Sequence, residues 1–368
     1  MSVSVAHSTN PNPIEAVAQV CAELEVSPTL VVFFASPTLD PAVVSSSMAD
    51  AFPDAKVIGA TTAGELTTGL MLKDSLVAMA FDADHIPAAS IQVVTDLSSG
   101  VDVSAAFRGF ADDLGAHMSQ ADPSEYVGLV LVDCLSGAEE SLMEAVGNHT
   151  NVFFVGGSAG DNLAFERTHV FADGVAYTDA AVLAAFKPAV PFEIVKTQSF
   201  GVTDKNLVAT EVDEAAREVI EFDGRPAAEA YADALGIPAE KAAEHFMSNP
   251  VGLVVGGEPY VRSPQRVLDR GVMKFYCNIG QGMSMSILEA TDIIAETRAA
   301  LDESDSRLDG LSALVTFNCI LRTLELEELG KTDEYGHLFD RVATVGFSTY
   351  GEEHIGHINQ TATMLAFG

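Results

Sequence analysis

One pattern of strands and turns occurs three times along this chain, and it restricts the possible folds more than any other feature of the sequence. Each copy begins with an apolar strand that ends in a small or thiol residue, continues through a stretch of helical character, and returns as a second strand. That second strand runs into a glycine-rich turn carrying a hydroxyl and an acid, and the copy closes on an apolar strand ending in phenylalanine. The three turns are residues 59–65, 156–161 and 346–352.

The pattern predicts parallel strand pairs whose ends meet at one edge of a sheet. A strand, a helix and a strand within about 30 residues form a crossover unit with parallel neighbours. The predicted fold class is therefore α/β, with two domains built from repeated strand-helix-strand-strand units and Gly-rich turns at the strand ends. We expect Gly64, Gly160 and Gly351 at the carboxyl ends of strands, where ligands of such sheets bind.

The order of these segments gives a provisional division of the chain, since 368 residues exceed one typical domain. We predict an N-terminal arm and helix over residues 1–27, with a loose arm up to residue 13. An α/β domain with two repeats follows over 28–210, and a second with the third repeat over 211–368. Helices are predicted at 14–24, 103–117, 227–235 and 288–301, and a charged surface loop at 302–309.

Composition excludes several classes of partner and site. The chain has 19 basic and 53 acidic residues, a formal charge of −34, which disfavours binding to nucleic acid or an anionic membrane. Its four cysteines form no CxxC pair, so neither a structural zinc site nor a disulfide framework is expected. The N-terminus lacks a basic and apolar leader, and no apolar run reaches a membrane span. We therefore expect a cytoplasmic location.

The strand-to-helix turn of the third copy carries the most reactive residue types. Cys319 stands near a predicted helix N-terminus, where a thiol pKa can be lowered, and three histidines lie in the same copy. The alternative is that Cys319 is a small residue packed at a strand end. Arg322 is expected to pair with a carboxylate, either that of Glu352 or that of a ligand.

The three turns together predict a ligand site, although each glycine could also serve only to make a tight turn. The predicted ligand-binding residues are Thr61, Thr62, Gly64, Glu65, Gly156, Gly157, Ser158, Asn318, Cys319, Arg322, Tyr350 and Glu352. Neither GxGxxG nor GxxxxGK[ST] occurs in the required context, and HExxH is absent. NAD and ATP chemistry are therefore not expected.

These residues resemble a known family. Asn318-Cys319 with Arg322, followed by the turn 346–352, is similar to the C-terminal signature of FIST proteins, sensory domains of bacterial and archaeal signal transduction. The turns 59–65 and 156–161 resemble the N-terminal part of that family, and 221–227 resembles the start of its C-terminal part. The resemblance implies a small-ligand sensor without catalytic turnover. The alternative is an enzyme that acts on a small carboxylate or amino-acid-like substrate through Cys319.

One subgroup gives a more specific expectation. Residues 350–361, and a predicted helical segment over 288–292, resemble NosP-type proteins, haem-binding nitric-oxide sensors that act with a separate histidine kinase. This resemblance implies haem b as cofactor and a histidine kinase as partner. His354 and His357, beside the third turn, are the candidate iron ligands, with Glu352, Glu353 or a carbonyl orienting the imidazole. The absence of CxxCH excludes covalent c-type attachment.

Overall fold

The structure, a computed structural model, describes residues 2–368 and confirms the α/β fold class. The chain forms two compact units. One, the three-repeat unit, comprises Met1–Lys196, Arg298–His357 and Ala362–Gly368, and the other, the inserted unit, comprises Thr197–Thr297 and Ile358–Thr361. The predicted limits of 28–210 and 211–368 follow the order of the sequence, whereas these units follow spatial contacts. No helix in the described part of the chain combines the length and hydropathy that a membrane span requires.

Repeat one covers residues 3–81 and opens with a strand where a loose arm was expected. Val3–Ser8 pairs antiparallel with Leu76–Phe81 along its whole length, because that edge would otherwise leave backbone groups unpaired. The elements of repeat one are β1 (Val3–Ser8), α1 (Pro13–Glu23), β2 (Leu30–Ala35), α2 (Pro41–Ala51), β3 (Lys56–Thr61), β4 (Glu65–Thr67), β5 (Leu70–Leu72) and β6 (Leu76–Phe81). Asn12 and Asp40 cap the two helices through side-chain oxygens, and a proline begins each helix.

Repeat two covers residues 89–186 and uses the same order of elements. They are β7 (Ala89–Thr95), α3 (Ser104–Leu114), β8 (Val127–Val132), α4 (Glu139–His149), β9 (Phe154–Ser158), β10 (Val170–Ala172), β11 (Val175–Tyr177) and β12 (Ala180–Phe186). The helix predicted over 103–117 corresponds to α3. It is shorter than predicted because Gly115, in the left-handed conformation (φ 65°), ends it.

Repeat three begins with β13 (Phe192–Gln198), after which the inserted unit interrupts it in the sequence. The inserted unit contains β14 (Phe200–Asp213), β15 (Glu218–Phe222), β16 (Arg225–Pro226), α5 (Ala227–Leu235), β17 (Val251–Val255), β18 (Glu258–Arg262), β19 (Pro264–Val267), β20 (Met273–Phe275) and β21 (Ser284–Ala290). Its sheet has the order β18-β17-β21-β14-β15-β20-β19, with β16 against β15. Tyr231 of α5 is fully buried in its core and donates a hydrogen bond to the carbonyl of Asn249 at 2.8 Å.

The remaining elements complete repeat three. They are α6 (Ile293–Leu308), β22 (Ala313–Cys319), α7 (Ile320–Leu329), α8 (Thr332–Gly336), β23 (Ala343–Thr349), β24 (Glu352–His354), β25 (Gly356–Ile358) and β26 (Thr361–Phe367). Two predictions fail here. Residues 288–290 end a strand instead of beginning a helix, and 302–308 continue α6 instead of forming a loop. The charges that suggested a loop lie on a helix, and Arg307 forms ion pairs there with Glu193 and Glu303.

The three repeats complete one another's sheets. Each sheet consists, in order, of an edge strand, the closing strand of the repeat, its two parallel strands and a hairpin. The three orders are β1-β6-β2-β3-β10-β11, β7-β12-β8-β9-β24-β25 and β13-β26-β22-β23-β4-β5. The hairpin comes from another repeat in every case: β10 pairs with β3, β24 with β9, and β4 with β23. The repeats are therefore joined in a closed ring of strand exchanges.

The core between the sheets draws on all three repeats. Phe34 lies 4.5 Å from Phe347 and 6.2 Å from Phe317, measured between ring centroids, and all three rings are fully buried. Strands with buried residues on both faces, such as β2, β8 and β22, explain why the sequence shows continuous apolar runs rather than alternation. This packing fixes the carboxyl ends of the parallel strands beside one another.

Candidate functional site

The glycine-rich turns meet at the carboxyl ends of the parallel strands, as predicted. Gly64, Gly160 and Gly351 follow β3, β9 and β23, and none lies in a helix. Backbone hydrogen bonds link each turn to another repeat. The N–H of Ala63 donates to the carbonyl of Ser348 at 3.1 Å, that of Tyr350 to Ser158 at 3.2 Å, and that of Gly160 to Thr61 at 2.8 Å. The structure thus brings predicted site residues from all three repeats together.

Close backbone approach explains the glycines of these turns. A Cβ added to Gly156 would lie 1.7 Å from the carbonyl oxygen of Val130, and one added to Gly157 would lie 2.6 Å from Oγ1 of Thr349. Gly64 has a φ of 129°, which disfavours any side chain. Packing alone therefore requires glycine here, and a role in binding a ligand stays a prediction.

Repeat one places a buried carboxyl group among hydroxyls. Glu65, 1% exposed, accepts hydrogen bonds from the hydroxyl of Thr62 and from the backbone N–H (3.1 Å) and hydroxyl (2.6 Å) of Ser75. Burial raises the pKa of Glu65 to about 7 and outweighs these hydrogen bonds, which favour the ionised form. The group is thus poised to exchange a proton near neutral pH.

Repeat three buries an arginine in a polar network. Arg322, fully buried on α7, donates from Nε to Oδ1 of Asn318 at 3.0 Å, and its guanidinium lies 5.8 Å from the ring centroid of Tyr335. The amide of Asn318 donates to Thr323 at 3.0 Å, and the hydroxyls of Thr323 and Ser348 are 2.7 Å apart. The sequence identified Asn318 and Arg322, whereas Tyr335, which donates to Oδ1 of Asn318 at 3.0 Å, was missed.

The expected pairing of Arg322 with Glu352 stays a prediction. Both side chains are fully buried in repeat three. Tyr350, another predicted ligand-binding residue of this repeat, directs its hydroxyl to Asp161 of repeat two.

Cys319 lies at the N-cap position of α7 and is fully buried. This burial agrees with the interpretation of Cys319 as a small residue packed at a strand end. The enzyme alternative is not tested by it. The other strand-end cysteine, Cys134, is partly exposed.

Tyr350 connects repeats three and two. Its hydroxyl donates to Oδ1 of Asp161 at 2.6 Å and accepts from the backbone N–H of Leu163 at 2.6 Å. Burial acts to raise the pKa of Asp161, but the hydrogen bonds from Tyr350 and three backbone N–H groups outweigh it and lower that pKa. Asp161 was part of the recognised turn, but nothing in its local sequence indicated a tyrosine partner 189 residues away.

A buried charged cluster surrounds His357. Its Nδ1 lies 3.0 Å from Oε1 of Glu353, so a glutamate expected to orient the imidazole does contact it. The hydroxyl of Ser158 lies 3.3 Å from the same oxygen and 3.5 Å from Oε1 of Glu139. Burial acts to lower the pKa of His357, but Glu353, with Glu139 and Glu140 further away, overcomes this and raises it to about 9.

The surroundings of His357 suit it less to haem than those of His354. Its Nδ1 is engaged by Glu353, and its Nε2 faces Gly351, where an added Cβ would lie only 2.7 Å from Nε2. Its raised pKa also opposes the neutral imidazole that iron binds. No group of three or more His, Cys, Asp or Glu side chains within residues 2–368 is arranged to hold a metal ion.

His354 is placed differently from His357. It lines a cavity of about 370 Å³ in the three-repeat unit. The other lining residues are mostly apolar: Pro123, Ser124, Phe153, Phe192, Glu193, Ile194 and Ile355. An apolar cavity with an imidazole in its wall is what the resemblance to haem-binding sensors implies, so His354 stays the candidate iron ligand and haem binding stays a prediction.

Comparison with known proteins agrees with this architecture. An uncharacterized protein of Methanocaldococcus jannaschii, MJ1623, is 22% identical over 297 residues, which make up 75% of this chain and 56% of that protein. The chain therefore spans little more than half the length of this curated relative. The family model of the FIST N domain matches residues 29–225, and that of the FIST C domain matches residues 227–354. Because these two matches cover most of the chain, the protein belongs to the FIST family.

Proposed function

We propose that this protein is a sensor that binds a small ligand at the strand ends of the three-repeat unit and passes the signal to a separate partner. FIST domains are associated with small-ligand sensing in signal transduction, and as sensory domains they fit a protein without catalytic turnover. The observation that carries the proposal for this chain is the fully buried Arg322 among Asn318, Thr323 and Tyr335.

A buried guanidinium is costly to keep in a protein interior, and apolar replacements are often at least as stable. Its planar set of donors matches a carboxylate or another planar acceptor, which makes it suited to recognition. Since Arg322 is fully buried, a ligand that reaches it has to move the packing around α7 and α8. Ligand binding and conformational change would therefore be coupled, as signalling requires.

The test is a thermal-shift screen of small carboxylates and amino acids, followed by calorimetry on each compound that stabilises the protein. A ligand at about 100 times its Kd adds about 2.7 kcal/mol of stability, which such a screen detects. We expect Arg322→Lys to weaken binding about tenfold or more, because lysine cannot reproduce the bidentate geometry. The matched control is Arg307→Lys on the surface of α6, which should bind as the wild type does. Equal affinities for all three proteins would contradict the proposed site.

A finer form of the proposal is haem-based sensing of nitric oxide with a histidine kinase as the partner. The apolar cavity beside His354 supports it, and His354 is the residue that would hold haem b there. Bound haem would supply an iron centre for a diatomic gas, and the apolar side chains of Phe192 and Ile194 would pack against its macrocycle.

Reconstitution with haem tests this form directly. We expect a Soret band that His354→Ala shifts or abolishes and that the control His337→Ala, at an exposed position, leaves unchanged. Nitric oxide should then change the spectrum of the ferrous protein and the autophosphorylation of its kinase. A protein that takes up no haem would refute haem sensing and leave the small-ligand proposal intact.

A further inference from the structure

Repeat two has a long loop that the other repeats lack. Residues 159–169, called the long loop here, connect β9 to β10. The same connection in repeat one is residues 62–64, and in repeat three it is residues 350–351. Because all three hairpins complete equivalent sheets, the exchange of hairpins needs only the short connection. The additional residues therefore require an explanation other than the fold.

The long loop is held in an unfavourable backbone conformation. Asn162, Leu163 and Phe165 have φ values of 54°, 66° and 53°, a region that bulky side chains rarely occupy. Asp161 stabilises it by accepting hydrogen bonds from three backbone N–H groups of residues 165–167 at 2.7–2.9 Å. Strain that the surrounding structure maintains in this way is concentrated at functional sites.

This conformation exposes two large apolar side chains. Leu163 is 42% exposed and Phe165 is 48% exposed, although the ring of Phe165 stacks on Tyr350 at a centroid distance of 4.7 Å. The backbone beneath them is fixed by Asp161 and Tyr350. A rigid aromatic anchor of this kind loses little conformational entropy when a partner covers it.

An acidic cavity of about 450 Å³ adjoins the long loop. Asp133, Glu166 and Asp179 line it with a single cation, Arg167, and Leu135, 43% exposed, forms part of its wall. Asp133 accepts from the backbone N–H of Leu135 at 3.0 Å and from that of Asp179 at 2.5 Å. The side chain of Asp179 in turn accepts hydrogen bonds from Ser98 at 2.7–2.8 Å. The carboxylates of Asp133 and Asp179 are fixed in place by these hydrogen bonds, and the cavity has more acidic than basic side chains.

We propose that the long loop and this cavity form a docking site for a partner protein that presents an apolar side chain next to a lysine or arginine. Phe165 and Leu163 would bury the apolar side chain, and the cavity would accept the basic one. A second copy of this chain is a poor occupant, because two proteins of charge −34 repel each other. The exposure of both apolar side chains favours a macromolecule, which can cover them from outside. A small ligand would instead need the loop to enclose it.

The experiment selects binders from a phage-displayed library of random linear peptides on the full-length protein and measures their affinities by fluorescence anisotropy. We expect the selected peptides to combine an aromatic or aliphatic residue with lysine or arginine, and to bind more weakly as the salt concentration rises. Phe165→Ser should weaken binding about tenfold or more, the scale of an anchor residue. Glu166→Gln should reduce the salt dependence. Leu329→Ser is the control, since Leu329 on α7 is comparably exposed (53%) and does not line this cavity.

A variant in which residues 62–64 replace the long loop provides the second measurement. Because repeat one closes the same connection with that segment, this variant should unfold cooperatively and bind none of the selected peptides. The proposal is overturned if no peptide family is enriched, or if enriched peptides bind Phe165→Ser and the short-loop variant as tightly as wild type. It is also overturned if the protein self-associates through Phe165, or if loss of the loop alters only small-ligand binding.

Discussion

The buried pair of His357 and Glu353 offers the most informative single perturbation, His357→Ala. The two side chains are 1% and 0% exposed, and Nδ1 of His357 lies 3.0 Å from Oε1 of Glu353. The variant leaves the carboxylate of Glu353 in the interior beside Ser158 and Glu139 without its cationic partner. The hairpin of β24 and β25, which carries both residues of the pair, joins repeat three to the sheet of repeat two.

The expected loss is about 3–5 kcal/mol, the cost of removing one member of a buried ion pair. Total stabilities of natural domains are about 5–15 kcal/mol, so the loss is a large fraction of the whole. Replacing both residues by leucine should cost less than His357→Ala, because no uncompensated charge then remains in the interior. His337→Ala, at an exposed position, is the control and should change stability by less than about 0.5 kcal/mol.

The pH dependence gives an independent check. The pKa of His357 is raised to about 9 in the folded protein, compared with about 6.5 in an unfolded chain. A histidine with a raised folded pKa contributes stability that is complete below the unfolded value and is lost as pH rises through the folded one. The difference between wild type and His357→Ala should therefore be largest near pH 6 and shrink as pH passes about 9.

Urea denaturation, followed by circular dichroism from pH 6 to pH 9.5, measures both quantities. A loss below about 1 kcal/mol at pH 6, or a difference that grows with pH, would show that the pair is not charged in the folded protein. If the protein takes up haem, unchanged uptake by a folded His357→Ala protein would agree with the proposal that His354, rather than His357, is the iron ligand.

Three further substitutions test other contacts. Glu65→Gln should be close to neutral below about pH 4 and stabilising above about pH 7. The pKa of Glu65 is raised to about 7 in the folded protein from about 4.3 in an unfolded chain, so wild-type stability falls between those two values; equal pH profiles in urea denaturation would exclude this. Tyr350→Phe should cost about 1.5–3 kcal/mol at pH 7, the scale of a hydrogen bond to a charged group, and less at acidic pH where Asp161 is protonated. Gly156→Ala should either fail to fold, and so show no cooperative unfolding, or lose at least about 3 kcal/mol of the free energy of unfolding. The control is Gly147→Ala, in open space on α4, which should raise the free energy of unfolding by up to about 1 kcal/mol.

Some of the candidate site could be predicted from local sequence, and some could not. Asn318 and Arg322 are four residues apart on one strand-to-helix turn, so their contact follows from local geometry. His357 and Glu353 are likewise four residues apart. Tyr350 and Asp161 are separated by 189 residues, and no pattern in either segment specifies the other.

The burial of individual side chains could not be predicted from the sequence either. A thiol at a strand end next to a helix N-terminus has the same local sequence whether it is open to a substrate or packed, and Cys319 is packed. The loose arm predicted for the N-terminus became β1, because the strand depends on an edge supplied by β6, about 70 residues later. The prediction of a loop at 302–309 was wrong because a run of charged residues is typical both of a surface loop and of the exposed side of a helix. Residues 302–308 belong to α6.

By itself, the sequence determined the repeating strand-helix-strand-strand unit, the α/β class and the position of the glycine-rich turns. These depend on local hydrophobic runs and on backbone conformations that glycine alone adopts without strain. Only the tertiary structure decided that each hairpin completes the sheet of another repeat, and that residues 197–297 form a separate unit inside repeat three. Strand pairing between distant segments is chosen by edge complementarity and the packing of side chains such as Phe34 and Phe347, which no local pattern encodes.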